Sequence, residues 1–175
     1  MKTDIEWMQE AIALAQNAGE AGEVPVGALV VCNGQVVGRG RNSQIGNHDP
    51  SAHAEVMALR DAAHCMGNYR LHNCTLYVTL EPCTMCAGAI LNARLARVVY
   101  GASEPRTGAA GSALDIFSNK ALNPHAQITR GVLAEQCAQL MQQFFKPKRL
   151  NLSPLRDDAL RPQEGWFEGL PNYPW

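Results

Sequence analysis

His53, Glu55, Cys83 and Cys86 are the residues of this 175-residue sequence whose types and spacing could do chemistry together. His53-Ala54-Glu55 opens one apolar-periodic segment, and Pro82-Cys83-Thr84-Met85-Cys86 opens another. Two cysteines three apart at a helix start share a face and can reach one metal ion, and the unpaired N–H groups there favour thiolate over thiol. Imidazole is the natural third ligand. One His and two Cys leave the fourth tetrahedral position of a zinc ion to water, which marks a catalytic rather than a closed structural site. Two thiolates already offset the charge of the metal, so its water is acidified less than it would be by three imidazoles. A separate base is then needed, and Glu55 has the chemistry to take a proton from water and return it to a leaving group.

Each motif alone has a plainer reading. A partly buried His with a nearby surface Glu is common, and Cys-x-x-Cys also fits a redox pair or half of a zinc finger. The second closely spaced pair that a four-ligand site would need is missing, since Cys65 and Cys74 stand nine apart. Together, at two predicted helix starts, the motifs match the His-x-Glu and Pro-Cys-x-x-Cys signature of zinc-dependent base deaminases. The two motifs carry one geometric conflict. Residues two apart lie on opposite sides of an ideal helix, so His53 and Glu55 can approach one metal only at a helix mouth.

The elements that must position these residues follow from local pattern. Thr3-Asp4-Ile5-Glu6 is a capping box, and Ile5, Met8, Ile12 and Ala15 at helical spacing predict a helix from residue 4 to about 19. Val26–Cys32 and Gln35–Arg39 flank Asn33-Gly34, the favoured two-residue turn of a tight hairpin. Residues 40–51 form a long loop, and Ser51 is expected to cap a helix that starts near His53 and stops at Gly67. Cys74–Leu80 reads as a strand feeding a helix with Pro82 at its first position. Arg97–Gly101 and Gln127–Thr129 are further short strands. Leu133, Cys137, Leu140, Met141, Phe144 and Phe145 stripe a last helix that Pro147 should end. Strands alternating with helices indicate an α/β sandwich in which helices cover a central sheet.

Composition limits the setting. Hydrophobic residues make up 46% and charged residues 18%, the balance of a globular protein, and no apolar run is long enough to span a membrane. No export signal is evident at the start, so a cytoplasmic setting and reduced thiols are expected. Cys32, Cys65, Cys74 and Cys137 then read as small core residues. A formal net charge of -1 means that any nucleic-acid site must be local.

Val24-Pro25-Val26-Gly27-Ala28, Asp49-Pro50-Ser51-Ala52-His53-Ala54-Glu55, Thr79 to Ala89 and Thr107-Gly108-Ala109-Ala110-Gly111-Ser112 resemble the bacterial tRNA adenosine deaminases over about residues 4–150. The resemblance implies a cytidine-deaminase-like three-layer α/β/α sandwich with a central mixed sheet, a homodimer and one zinc per subunit. It implies action on the wobble adenosine of an arginine tRNA, with the anticodon stem-loop as partner and no DNA or membrane partner. The alternatives are a deaminase of free bases or nucleosides and a non-catalytic zinc module. By the same resemblance Asn42 and Val26 contact the flipped adenosine and Glu104, where the family usually has Asp, approaches its ribose. Phe145 offers a stacking face, and Lys146, Lys148 and Arg149 add local positive charge for the RNA backbone. A division into a catalytic domain, 1–150, and a tail, 151–175, is expected. The tail is rich in proline and aromatic residues, which suggests packing on its own domain or on a partner subunit.

Overall fold

The computed structural model describes residues 2–122 and 126–151, the side chains of 147–151 excepted. The chain divides into two units, Met1–Phe144 and Phe145–Trp175. The first helix, α1 (Asp4–Glu20), starts at the expected capping box, with Thr3 Oγ1 accepting from Glu6 N–H and the Glu6 carboxylate accepting from Thr3 N–H. The hairpin of β1 (Gly27–Cys32) and β2 (Gln35–Arg41) turns at Asn33 and Gly34, whose φ of 50° and 75° suit the twist of the two strands. A bulge between Val30 and Val31 shifts the register, and β2 runs two residues further than its alternation suggests. A single helical turn, α2 (Gln44–Asn47), occupies the expected loop.

Next come α3 (Ala54–Met66), β3 (Cys74–Leu80), α4 (Thr84–Ala93), β4 (Arg97–Ala102), β5 (Gln127–Thr129) and α5 (Ala134–Asn151). Three local expectations are corrected. His53, not Ser51, is the N-cap of α3, because the Ser51 hydroxyl and N–H are both spent on Asp49 Oδ1. Pro82 lies outside α4, whose N-cap is Cys83. α5 continues through Pro147 to Asn151, so a missing backbone donor does not end the run there. In addition, Cys65 is exposed and not a core residue, whereas Cys74 and Cys137 are buried.

The sheet order is β2-β1-β3-β4-β5, antiparallel across the first three strands and parallel from β3 to β5. Alternation sorts its side chains into two layers. Ala28, Val30, Leu76, Val78, Val98 and Tyr100 pack with Ala54, Ala58 and Ala62 of α3 and Ala87 and Ile90 of α4. Leu29, Val31, Tyr77 and Val99 pack with Trp7, Met8 and Ala11 of α1 and Cys137 of α5. The expected three-layer sandwich with a mixed central sheet is therefore the fold, and each large core side chain contributes about 1.5–3 kcal/mol by leaving water. Gly40 lets α3 lie directly on β2, since a Cβ there would stand 2.1 Å from Ala54 O. That close approach fixes the start of α3 over the sheet. Among the described residues, no helix is long and apolar enough to cross a membrane.

Candidate active site

Strand direction gathers the site at one end of the sheet. Val26 immediately precedes β1, while Asn42, Cys83 and Glu104 follow the ends of β2, β3 and β4 by one to three residues. Because β1 is antiparallel to β2 and β3, its start lies beside their ends, with Gly27 opposite Arg41 and Ala28 opposite Val78. The two helices that rise from this edge, α3 and α4, begin at the two motifs.

His53 Nδ1 stands 3.7 Å from Cys83 Sγ and 3.5 Å from Cys86 Sγ, and the three donor atoms lie within 4.8 Å of one another. Bond lengths of about 2.3 Å to sulfur and 2.0–2.1 Å to nitrogen in tetrahedral geometry place N and S ligands about 3.6 Å apart. The donor set therefore fits a zinc ion with one position left over. His53 has φ −73° and ψ 151°, an extended residue outside the helix, so it is not bound by the opposite-sides rule that set it against Glu55. Cys83 and Cys86 occupy the N-cap and third positions of α4, where backbone N–H groups converge.

Protons are arranged around these donors in a consistent way. A hydrogen bond from Cys86 is the main cause that holds the Cys83 thiol down at about 3, with His53 adding to it against the cost of burial. The Cys86 thiol is pushed up, first by its bond to Cys83 and then by burial, while the bond to Cys83 raises His53. Two thiols thus share a proton that a cation would displace. Burial pushes the Glu55 carboxyl up to about 7, against the pull of its own backbone N–H, His53 and Cys86. A buried carboxyl poised near neutrality beside an open metal position can both take and give a proton.

The MafB19-like deaminase family matches residues 2–149. A tRNA-specific adenosine deaminase of Haemophilus influenzae is 50% identical over 147 residues, covering 83% of this chain and 85% of that protein. Its counterpart in Bacillus subtilis is 40% identical over 149 residues, with 85% and 92% covered. The chain belongs to the tRNA-specific adenosine deaminase family. Among solved structures, a tRNA:A34 deaminase studied for A-to-I editing superposes with a TM-score of 0.75 at 40% identity, covering 77% of this chain and 98% of that one. A guanine deaminase of Nitrosomonas europaea, 20% identical with a TM-score of 0.68, shares the fold.

In this deaminase Val26 and Asn42 are joined by a hydrogen bond from Asn42 N–H to Val26 O at 3.1 Å, and both are buried. Asn42 Oδ1 also accepts from Ala54 N–H, so the side chain read as a substrate contact is tied to the helix that carries Glu55. Glu104 is half-buried and accepts from Arg106 N–H with one carboxylate oxygen. Phe145 and Lys146 belong to the second unit, the first half-buried and the second exposed. The side chains of Lys148 and Arg149, and all of 152–175, lie outside the described residues.

Two buried carboxylates escaped the motif reading. Glu23 accepts from Ile45 and Gly46 N–H at 3.2 and 2.7 Å and holds the α2 turn. Glu81 sits inside the recognised Thr79 to Ala89 stretch, yet its partners lie in a segment more than twenty residues away. An apolar context around a charged residue just before a helix was the available signal, and it is weak.

Proposed function

We propose that this enzyme hydrolyses adenosine to inosine at the wobble position of a tRNA anticodon, using one zinc ion per subunit held by His53, Cys83 and Cys86. The observation that carries the reading is the buried Glu55 beside that donor set, in a chain half identical to a tRNA-specific adenosine deaminase. When bound, zinc would supply Lewis acidity to water. Glu55 takes one proton from the attacking water and passes it to the ring nitrogen next to the attacked carbon as the carbon–oxygen bond forms. It then takes the remaining proton of the new hydroxyl and delivers it to the departing amine as the carbon–nitrogen bond breaks, so ammonia leaves and inosine remains. Asn42 and Val26 bound the base, and the segment at Glu104 lies by its ribose. Phe145 stacks, and Lys146, Lys148 and Arg149 meet the phosphates of the stem-loop.

The reading extends to a cytoplasmic homodimer with an arginine tRNA as substrate, supported by the resemblance that runs through most of the chain. The test is inosine formation on an anticodon stem-loop RNA, set against the matched DNA hairpin and free adenosine, guanine and cytidine. Turnover is expected on the RNA, with the DNA slower by at least an order of magnitude, because the 2′-hydroxyl distinguishes them. Faster turnover of any free base or nucleoside would overturn the tRNA reading.

A further inference from the structure

Three carboxylates are buried among the described residues: Glu23, Glu55 and Glu81. Glu55 has a chemical role and Glu23 fixes a short turn, which leaves Glu81, whose carboxylate accepts four hydrogen bonds against two for Glu23. Its Oε1 accepts from Ala110 N–H and Ser112 N–H, each at 3.0 Å, and its Oε2 accepts from Glu104 N–H at 2.9 Å and from the Ser112 hydroxyl. Four donors match the four acceptor sites of an ionised carboxylate.

We propose that Glu81 is a positioning residue, locking segment 104–112 against the turn that carries the metal donor Cys83 so that the ribose-facing wall stands at a fixed distance from the reaction centre. The proposal rests on the tRNA reading above for what the wall meets, and on geometry alone for the lock. Main-chain contacts run alongside the carboxylate. Glu81 N–H donates to Ala102 O and Ala109 N–H to Pro82 O, both at 2.8 Å, and Gly108 pairs with Cys83 in an isolated bridge. The stretch from Glu81 to Cys83 is thereby stitched to the end of β4 and to Gly108 and Ala109 of the segment that follows it. Gly108 is required by the contact, since a Cβ there would stand 2.5 Å from the Glu81 carboxyl carbon.

No other side chain serves as well. Glutamine would keep one acceptor oxygen for two of the amides but would turn an N–H₂ group toward the Glu104 N–H, donor against donor. Aspartate is shorter by a methylene. A buried amide left without an acceptor drives the segment outward, and a shift of about 1 Å in a substrate-positioning wall can cost up to about a hundredfold in rate. The metal donors, held by α3 and α4, stay where they are.

The experiment compares Glu81→Gln and Ser112→Ala with the wild type in the full zinc-loaded enzyme. Metal per chain, amide exchange at Glu104, Ala110 and Ser112, and kcat and KM on the stem-loop RNA are read for each. Glu81→Gln should keep its zinc, speed exchange at those three amides by about tenfold or more, and raise KM by about tenfold with a smaller change in kcat. Ser112→Ala removes one donor and should shift the same quantities in the same direction by about threefold, which keeps the idea testable if the first variant folds poorly. Unchanged exchange at the three amides in both variants would overturn the lock, as would zinc loss that tracks the loss of activity. Exchange is read without substrate, so a wrong substrate assignment shows separately, as a wild type inactive on the stem-loop.

Discussion

Asn42 Oδ1 accepts a hydrogen bond from Ala54 N–H at 2.8 Å, which makes a loop residue after β2 the cap of the helix that carries Glu55. His53 holds the N-cap backbone position but makes no side-chain cap bond, because its imidazole is directed to the cysteines. One helix start is thus served by two residues, one for the backbone amide and one for the metal site.

Asn42→Ala should therefore lower stability by about 1–2 kcal/mol, the usual effect of losing a buried cap. Asn42→Asp keeps an acceptor oxygen and should stay within about 0.5 kcal/mol of the wild type, yet lose inosine formation along with the side-chain amide. Denaturant melts and kinetics on the same samples check this. Normal activity in the Asp variant would remove Asn42 from the substrate contacts.

Glu55→Ala is expected to retain zinc and fold while kcat falls by about 10²–10⁴-fold, the range for a lost general acid–base. Its KM should change little. Single-turnover assays on stem-loop RNA with parallel metal analysis decide the matter, and activity within tenfold of normal would exclude the proton-transfer role.

Cys86→Ala should drop metal content from one zinc per chain to a small fraction, because a site built from a His and a single Cys offers two ligands where three are needed. The same holds for Cys83→Ala. Elemental analysis after dialysis against a chelator is the measurement. Full occupancy in either variant would show that other residues hold the ion.

The pH dependence of stability has an identifiable contributor in Asp4, which binds Arg97 through both carboxylate oxygens at 2.9 and 2.7 Å and accepts from the Tyr77 hydroxyl at 2.8 Å. The bond to Arg97 is the main cause that holds the Asp4 carboxyl below its ordinary value of 3.8, against the effect of burial. Its contribution is accordingly complete above about pH 4–5 and is lost as the pH falls through the lowered folded value. Asp4→Asn should cost about 0.5–1 kcal/mol at pH 7, modest because the pair is about a third exposed, and the gap to the wild type should narrow as the pH falls through the lowered value of the folded carboxyl. A gap that widened on acidification would contradict this sign.

Neutralising Lys146, Lys148 and Arg149 together should weaken stem-loop binding and reduce the slope of log affinity against log salt by about 2, given about 0.7 per phosphate contact on single strands. Binding isotherms at several salt concentrations provide the check. An unchanged slope would place the RNA backbone elsewhere.

Much of the site was legible because its signals are local. A helix start, a cysteine pair three apart and a His-x-Glu step are set by nearest neighbours, and the Asn33-Gly34 turn follows from backbone sterics that act within four residues. Elements read from periodicity appear with small errors at their ends. At Ser51 a competing bond to Asp49 outweighs the local preference, at Pro147 the helix continues past it, and Pro82 stands one residue before the N-cap Cys83.

Periodicity has no access to strand order, and strand order decides what meets at the site. Only the antiparallel pairing of β1 with β2 and β3 brings Val26 to Asn42 and both to the edge from which α3 and α4 rise. The extended backbone of His53, which resolves its conflict with Glu55, is likewise a property of the assembled edge. Glu81 is the clearest case. Its sequence neighbours mark it as part of a cysteine motif, but its four partners come from a segment that follows β4, and no local pattern can specify a carboxylate whose acceptors are filled across the sheet end. His53, Glu55, Cys83 and Cys86 could be picked out along the chain alone, because their spacing is covalent. The walls around them were decided by tertiary structure, because they are held by hydrogen bonds between residues that only the folded sheet makes neighbours.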